Sequence, residues 1–199
     1  TPERITSREI GYVGSIGALS LDGRWYRDHI EDTMQSHRVT PVIPSGFIPY
    51  PNNRVFGFVN KGSAIVRGFE AQAQLRFATQ SRIIANYSHI RISGTNLEAN
   101  FVNSAPINSY SLLAWHNFTP QWNASVGYYH VGETTTTGDG AKVALNRHWD
   151  ARVAHRFVAG NYHGELSVVA QNLFDNHYNE FSTYNTMSRR AYVNLKLDF

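Results

Sequence analysis

The sequence contains no cysteine. That excludes a disulfide framework, a thiolate nucleophile and any cysteine-based metal site. Long apolar runs are also missing: the uninterrupted hydrophobic stretches are only a few residues, whereas a membrane-crossing helix needs about 20. Charge is scarce, at 17% of the 199 residues, against about 25% in an ordinary soluble domain. The formal net charge is only +3. No Lys/Arg cluster interleaves with aromatic rings, so nucleic acid is not an expected partner. The chain starts Thr1-Pro2-Glu3-Arg4, without a charged segment leading into an apolar one, so no export leader is visible there. An exported protein needs one upstream, and the chain is therefore expected to be a fragment or a processed piece.

What the sequence does hold is aromatic residues, 13%, with Tyr and Phe at 11 each. Rings with a polar edge suit a surface that is apolar at one level and wet at another. The strongest pattern is a period of two. Ala191, Val193, Leu195, Leu197 and Phe199 alternate with Arg190, Tyr192, Asn194, Lys196 and Asp198. Successive side chains of a strand point to opposite faces, so this segment has one apolar and one polar face. The same alternation runs through Phe69 to Phe77, Trp122 to Tyr129, Trp149 to Phe157 and Glu165 to Gln171, and more weakly through Leu19 to Arg27 and Ile83 to Ile90. Tyr110 to Phe118 is ambiguous, because Leu112 and Leu113 compete for the apolar face.

This reading predicts nine strands: 8–17, 19–31, 54–77, 81–92, 108–118, 121–132, 146–157, 163–173 and 189–199. The third is long, and Lys61-Gly62-Ser63 marks a bulge inside it. Short connections near 18, 78–80, 119–120 and 158–162 alternate with long ones near 32–53, 93–107, 133–145 and 174–188. In an antiparallel meander all short turns then lie at one end and all long loops at the other. Outer-membrane barrels have this asymmetry, with short periplasmic turns and long extracellular loops. Four strands running toward the short-turn end finish in phenylalanine: Phe77, Phe118, Phe157 and Phe199, spaced 41, 39 and 42 residues (77 to 118, 118 to 157, 157 to 199). Such rings form one band, an aromatic girdle at a membrane interface. A 40-residue recurrence also suits propeller blades, but a blade has four short strands where this repeat has two long ones. A soluble sandwich alternates likewise. Its inner face is usually a Val/Ile/Leu set rather than Ala and rings, and its loops seldom all gather at one end. The expected fold is all-β, a transmembrane antiparallel β-barrel. Nine strands do not make a single-chain bacterial barrel of the usual even number, and open edges in lipid are not tolerated. The chain is thus expected to be part of a larger barrel.

The C-terminal stretch resembles TonB-dependent outer-membrane receptors. Asn172-Leu173-Phe174-Asp175 followed by Tyr178 is similar to their "NLFD…Y" motif, and Phe199 to their terminal aromatic. Asn60, Gly62, Gly68, Phe69 and Glu70 resemble an upstream "N-x-G…G-hydrophobic-E" strand, and Ser7, Glu9, Gly11 and Tyr12 an earlier "S-x-E-x-G-Y" strand. The resemblance implies that residues 1–199 are the C-terminal part of a 22-stranded, plugged barrel, with the plug domain and N-terminal strands absent from this chain. It also implies energised uptake of a scarce ligand, often a ferric siderophore. Implied partners are outer-membrane lipid, the plug and remaining strands, the TonB complex acting through the plug, the outer-membrane assembly machinery and the small ligand. The location implied is the bacterial outer membrane, crossed many times. In this family the terminal aromatic, here Phe199, belongs to the assembly signal. A passive porin or structural barrel is the alternative, and a soluble β-sandwich binding module a third.

No residues suggest catalysis: no Ser/His/Asp order or paired-carboxylate spacing stands out. No cofactor is expected. The nine histidines, His29, His37, His89, His116, His130, His148, His155, His163 and His177, have no metal-ligand spacing. His89, His116, His130 and His155 fall on or near the apolar parity toward strand ends, where an amphipathic ring suits a membrane interface. Glu70, Arg76, Arg82, Asp150, Arg152, Arg156, Glu165 and Lys196 fall on the polar parity, read as a solvated wall with cross-strand ion pairs or a surface toward plug and ligand. Glycosylation-like triplets at Asn86, Asn117 and Asn123 lie on strands and are read as chance. In the long loops, Arg38, Phe47, Tyr50, Arg54, Phe101, Phe181 and Tyr184, with Tyr178, have two readings: stacking and positive charge for a ligand, or equally girdle and loop-packing residues.

Overall fold

A computed structural model describes residues 2–39, 55–78, 80–137, 140–181 and 184–198, with side chains described for all of these except 36–39, 55 and 56. Phe47, Tyr50, Arg54, Phe199 and the Arg38 side chain therefore lie outside the described residues. Nine long strands form one antiparallel sheet in chain order: β1 (Arg4–Ile16), β2 (Leu19–Glu31), β3 (Ser63–Phe77), β4 (Ser81–Thr95), β5 (Asn108–Asn117), β6 (Trp122–Val131), β7 (Asn146–Ala159), β8 (Tyr162–Gln171) and β9 (Arg190–Asp198). This is the expected meander, with short turns at one end and long connections at the other. Thr119 shapes one short turn: its hydroxyl accepts from the backbone N–H of Gln121 (3.2 Å) and Trp122 (3.0 Å).

No strand pair slips in register. Leu75 lies opposite Leu19 and Ile83, Val153 opposite Ala124 and Val168, and Leu166 opposite Leu195. Directly opposed residues share a face, so the pairing sorts every side chain. Leu112 lies opposite Ala85 and Tyr128 and joins the apolar face. Leu113 lies opposite Ile84 and Gly127 and joins the polar one. That settles the ambiguous segment.

One expectation is corrected. The segment 54–77 is two strands, not one strand with a bulge. Val55–Asn60 pairs in a separate hairpin with Met34–Val39, a segment of the 32–53 connection read from sequence as a loop. The break falls at Lys61 and Gly62. Gly62 has φ +82°, and a Cβ there would meet the Thr95 carbonyl oxygen at 2.4 Å. Only glycine tolerates both the backbone angle and the approach. Two smaller hairpins, Thr134–Thr135 with Lys142–Val143 and Tyr178–Asn179 with Thr186–Met187, and a short helix, Ala99–Val102, fold the other long connections.

The sheet is a single layer with almost no core. Among the described residues the buried hydrophobic ones are Tyr26, Ala64, Val143 and Ala154. The apolar face is open: Leu112, Val153, Val168, Val193 and Leu195 are all exposed, Val193 to 66%. A sandwich would lay a second sheet over this face, and the described residues supply none. The long-loop end is tied together by polar groups. Gln35, 5% exposed, donates from Nε2 to the carbonyls of Lys61 (2.8 Å) and Asn96 (2.9 Å), and its Oε1 accepts from the Glu98 N–H (2.9 Å). This one amide joins the first long connection to the second. The Thr135 N–H donates to the Asn103 carbonyl (2.8 Å), joining the third to the second.

Gln35→Leu strands two carbonyls and an N–H, at about 1–3 kcal/mol per buried group. Limited proteolysis is expected to cut both the 32–62 and the 96–107 connections about ten-fold faster or more. Cleavage at the wild-type rate in the second connection would show that the amide does not couple them.

Candidate functional site: the polar face and its loop rim

The polar face carries two ion-pair clusters built by register. In the first, Arg24 lies opposite Gly11 and Glu70. Its guanidinium reaches Glu70 at 2.9 Å and Glu9 at 3.5 Å and sits 5.1 Å from the centre of the Tyr26 ring. Tyr26 lies over Gly68 on the neighbouring strand, where a Cβ would meet the phenol oxygen at 2.4 Å. Two motif positions thus have physical roles here: Gly68 leaves room for the Tyr26 ring, and Glu70 accepts from Arg24. In the second cluster Glu165 bridges Arg152 and Arg156, the latter at 3.3 Å, while Arg152 also donates to the Asn123 side chain (2.9 Å). Arg82 lies over the Trp115 ring at 5.3 Å. Beside the first cluster, and lined in part by its Arg24 and Glu70, is a hollow of mixed character that also takes in Gln72, Asn86, Ser111 and Tyr129. Such pairs are part-exposed and individually weak. The arrangement is a wet, mixed-charge wall able to meet a polar body or solute. Among the described residues no three His, Asp or Glu gather as a metal site.

The sequence-expected residues divide among three places. Glu70, Arg82, Arg152, Arg156 and Glu165 share the polar face in the pairs just given, Arg76 lies opposite Arg82, and Lys196 opposite Glu165. Lys196 itself bonds Asp198 at 3.2 Å. His89, His116, His130 and His155 lie on the apolar face: His130 stacks on Tyr110 (4.4 Å), His155 meets Trp122 (4.4 Å), and His116 packs edge-on against Phe118 (4.7 Å). Phe77, Phe118 and Phe157 stand on that same face at the short-turn end. The loop candidates are dispersed. Phe101 is in the short helix of the second long connection, while Phe181 and Tyr184, 74% and 95% exposed, are in the fourth.

Two features were missed. The first is a second row of rings on the apolar face: Trp25, Phe69, Tyr87, Tyr110, Tyr128 and Trp149. Neighbours meet at 6.4 Å (Phe69–Tyr87), 6.1 Å (Tyr110–Tyr128) and 4.8 Å (Tyr128–Trp149). The signal was available. Phe69, Tyr110 and Trp149 each precede Phe77, Phe118 and Phe157 by eight positions. Eight residues span about 26 Å along a strand, or about 20 Å across a sheet whose strands tilt at 35–45°. The second is a stack on the polar side of the loop rim, Tyr129–His148–Tyr178, with centres 4.9 and 5.1 Å apart and planes within 19°. Its members come from two strands and a loop, so no local pattern announces it. Burial holds the Tyr178 phenol above its ordinary range, and Glu180 adds to the shift.

The Asn172-Leu173-Phe174-Asp175 motif is a turn device. Asn172, 2% exposed and at φ +52°, donates to the Asn176 carbonyl (2.7 Å) and accepts from the Asn176 N–H (3.0 Å). Its own N–H donates to Asp150 (2.9 Å), and Asp175 accepts from the Arg189 N–H (2.7 Å). These bonds close the end of β8 and aim the chain at β9. Asn172→Ala is expected to destabilise the folded protein by about 2–4 kcal/mol, through two lost bonds and backbone strain. Asn172→Gly removes the strain but not the bond deficit and should fall between. Heat-dependent electrophoretic mobility in detergent reads both, and equal losses in the two variants would count against the strain component.

The same sheet occurs in solved receptors. The copper transporter OprC superposes with a TM-score of 0.75 at 16% identity, over 98% of this chain and 31% of that one. The siderophore receptor PirA from Acinetobacter baumannii gives 0.72 at 19%, over 98% and 31%. The ferric yersiniabactin uptake receptor FyuA from Yersinia pestis gives 0.70 at 19%, over 99% and 30%. The chain therefore spans about a third of the length of these structures. No curated protein sequence matches it. A family model, "TonB dependent receptor-like, beta-barrel", matches residues 1–173, and the chain belongs to that family.

Proposed function

We propose that residues 1–199 form the C-terminal part of the barrel wall of an outer-membrane receptor that takes up a scarce ligand using energy delivered through TonB. The observation that carries this is the two-faced, unslipped nine-strand sheet with all its long loops at one end, in a chain of this family. The open apolar face, bounded by ring rows at both ends, supports contact with lipid on that side. The rows then act as interfacial girdles, Phe77, Phe118 and Phe157 toward the periplasm and Trp25 to Trp149 toward the outside. The polar face supports an interior role: the clusters around Arg24 and Arg152 are suited to pair with a plug, and the rim offers Tyr178, Phe101, Phe181 and Tyr184 to a solute. A ferric siderophore or similar metal complex is the proposed ligand class, since siderophore and copper proteins are among the similar structures.

The test is growth of a deletion strain on single sources of iron or copper, with and without a functional TonB. Loss of growth on at least one source, matched by the TonB mutant, is the expected result. Growth on every source, or uptake that persists without TonB, would favour a passive pore. A second expectation concerns Phe199, proposed as both a girdle ring and part of the signal read by the assembly machinery. Phe199→Ala in the intact protein should lower its outer-membrane level several-fold with synthesis unchanged. A normal membrane level would leave Phe199 as a girdle ring alone.

A further inference from the structure

Four arginines occupy one register row. Arg8 lies opposite Arg27, Arg27 opposite Arg67, and Arg67 opposite Arg91, across β1, β2, β3 and β4. All four are exposed, and they share the parity of Trp25, Phe69 and Ala71, so they stand on the apolar face. Like charges directly opposite one another destabilise a strand pair, and here the conflict is repeated three times. Arg67 and Arg91 line a cavity shared with Glu133 and Lys142, but no described ion pair relieves the row. The next row out, Thr6, His29, Ile65 and Ser93, has no carboxylate, and Glu31 beyond it pairs with Arg4 at 3.7 Å. Among the described residues, none of the four arginines makes an ion pair.

The height of the row says what would resolve the conflict. The row just inside it is Ile10, Trp25, Phe69 and His89, part of the ring row at the long-loop end. One step of two residues, about 7 Å along the strand, leads from those rings to the arginines. That is the headgroup level of the leaflet on the long-loop side, given the orientation proposed above. At the opposite end the equivalent arginines, Arg76 and Arg82, lie on the polar face instead. Neighbouring strands are about 4.8 Å apart, so the row is a basic strip about 14 Å wide. A cleft lined by Thr6, Arg8, Arg27, His29 and Ile65 opens at the Arg8–Arg27 end of the row. Guanidinium forks match phosphate oxygens two at a time and are weakly hydrated.

We infer that Arg8, Arg27, Arg67 and Arg91 form a binding strip for the phosphate groups of a lipid headgroup in the leaflet on the long-loop side. The bound phosphates neutralise the row, and the lipid's acyl chains lie down the alanine- and leucine-rich face below it. This inference rests on the membrane orientation proposed above and adds a specific lipid partner to it.

The experiment uses the intact receptor that carries this chain, in phosphatidylcholine nanodiscs. Quenching of its tryptophans by brominated acyl chains reports embedding, whatever the headgroup. Native mass spectrometry then measures retention of bisphosphorylated lipid A against the same lipid dephosphorylated. Wild type should retain the phosphorylated form at least ten-fold better. R27Q/R67Q should lose that preference, R27Q alone should weaken it about three-fold, and the control R76Q/R82Q should keep it. If R27Q/R67Q does not fold, R27Q and R67Q singly decide the matter. Absent quenching would overturn the membrane reading and the strip with it. Normal quenching with equal retention by wild type and variants would overturn the strip alone. Displacement of the lipid by millimolar inorganic phosphate would also overturn it, by showing a site for the free anion.

Discussion

Backbone hydrogen bonds join β1 to β9 without a slipped residue, and every other feature depends on that pairing. In hydrocarbon no water is present to satisfy an N–H or C=O, so a spanning sheet must pair them all. Because side chains alternate, a slip of one residue would exchange the faces of an entire strand. Unbroken register is thus what keeps Leu75, Ile83, Val153 and Leu195 on one side and Glu70, Arg152 and Glu165 on the other. Irregular backbone is confined to the two ends. There side chains complete the pairing: Thr119 in a short turn, Gln35 between two long connections, Asn172 where β8 ends.

The energetics follow from a sheet that has no partner layer among the described residues. Few apolar side chains are buried, so stability cannot come from a packed interior of the ordinary kind. Surroundings must cover one face, and the proportions of that face suit lipid: alanine, valine and leucine in the middle, rings with polar edges at both limits. On the other face the ion pairs are hydrated and individually weak. Their value is positional. Glu70 and Arg24, or Glu165 and Arg152, hold their charges in set places on a wall that a second body can meet.

Much of this architecture was legible in the sequence. The period of two marked seven of the nine strands, five clearly and two weakly, and an eighth ambiguously. The alternation of short and long connections oriented them, and Phe77, Phe118 and Phe157 marked one level. What misled was the segment 54–77, where two strand-forming runs meet at Lys61 and Gly62. Whether such a segment is one strand or two depends on what it pairs with, and Val55–Asn60 pairs with Met34–Val39 rather than with the wall. The Leu112/Leu113 ambiguity had the same origin: either leucine satisfies the alternation, and only the neighbours at Ala85 and Tyr128 choose between them.

By itself the sequence determined the strand pattern, the two-faced wall, the uneven ends and the family motifs, because each depends on residues close together along the chain. Tertiary structure alone decided which side chains meet. It turned Gly68 into space for Tyr26, Asn172 into a turn closure, and Tyr129, His148 and Tyr178 into a stack. It also drew Arg8, Arg27, Arg67 and Arg91, dispersed over more than eighty positions of sequence, into a single line. The reason is physical: register is a relation between strands, set by turn lengths and by which face must be dry, and no single strand contains it.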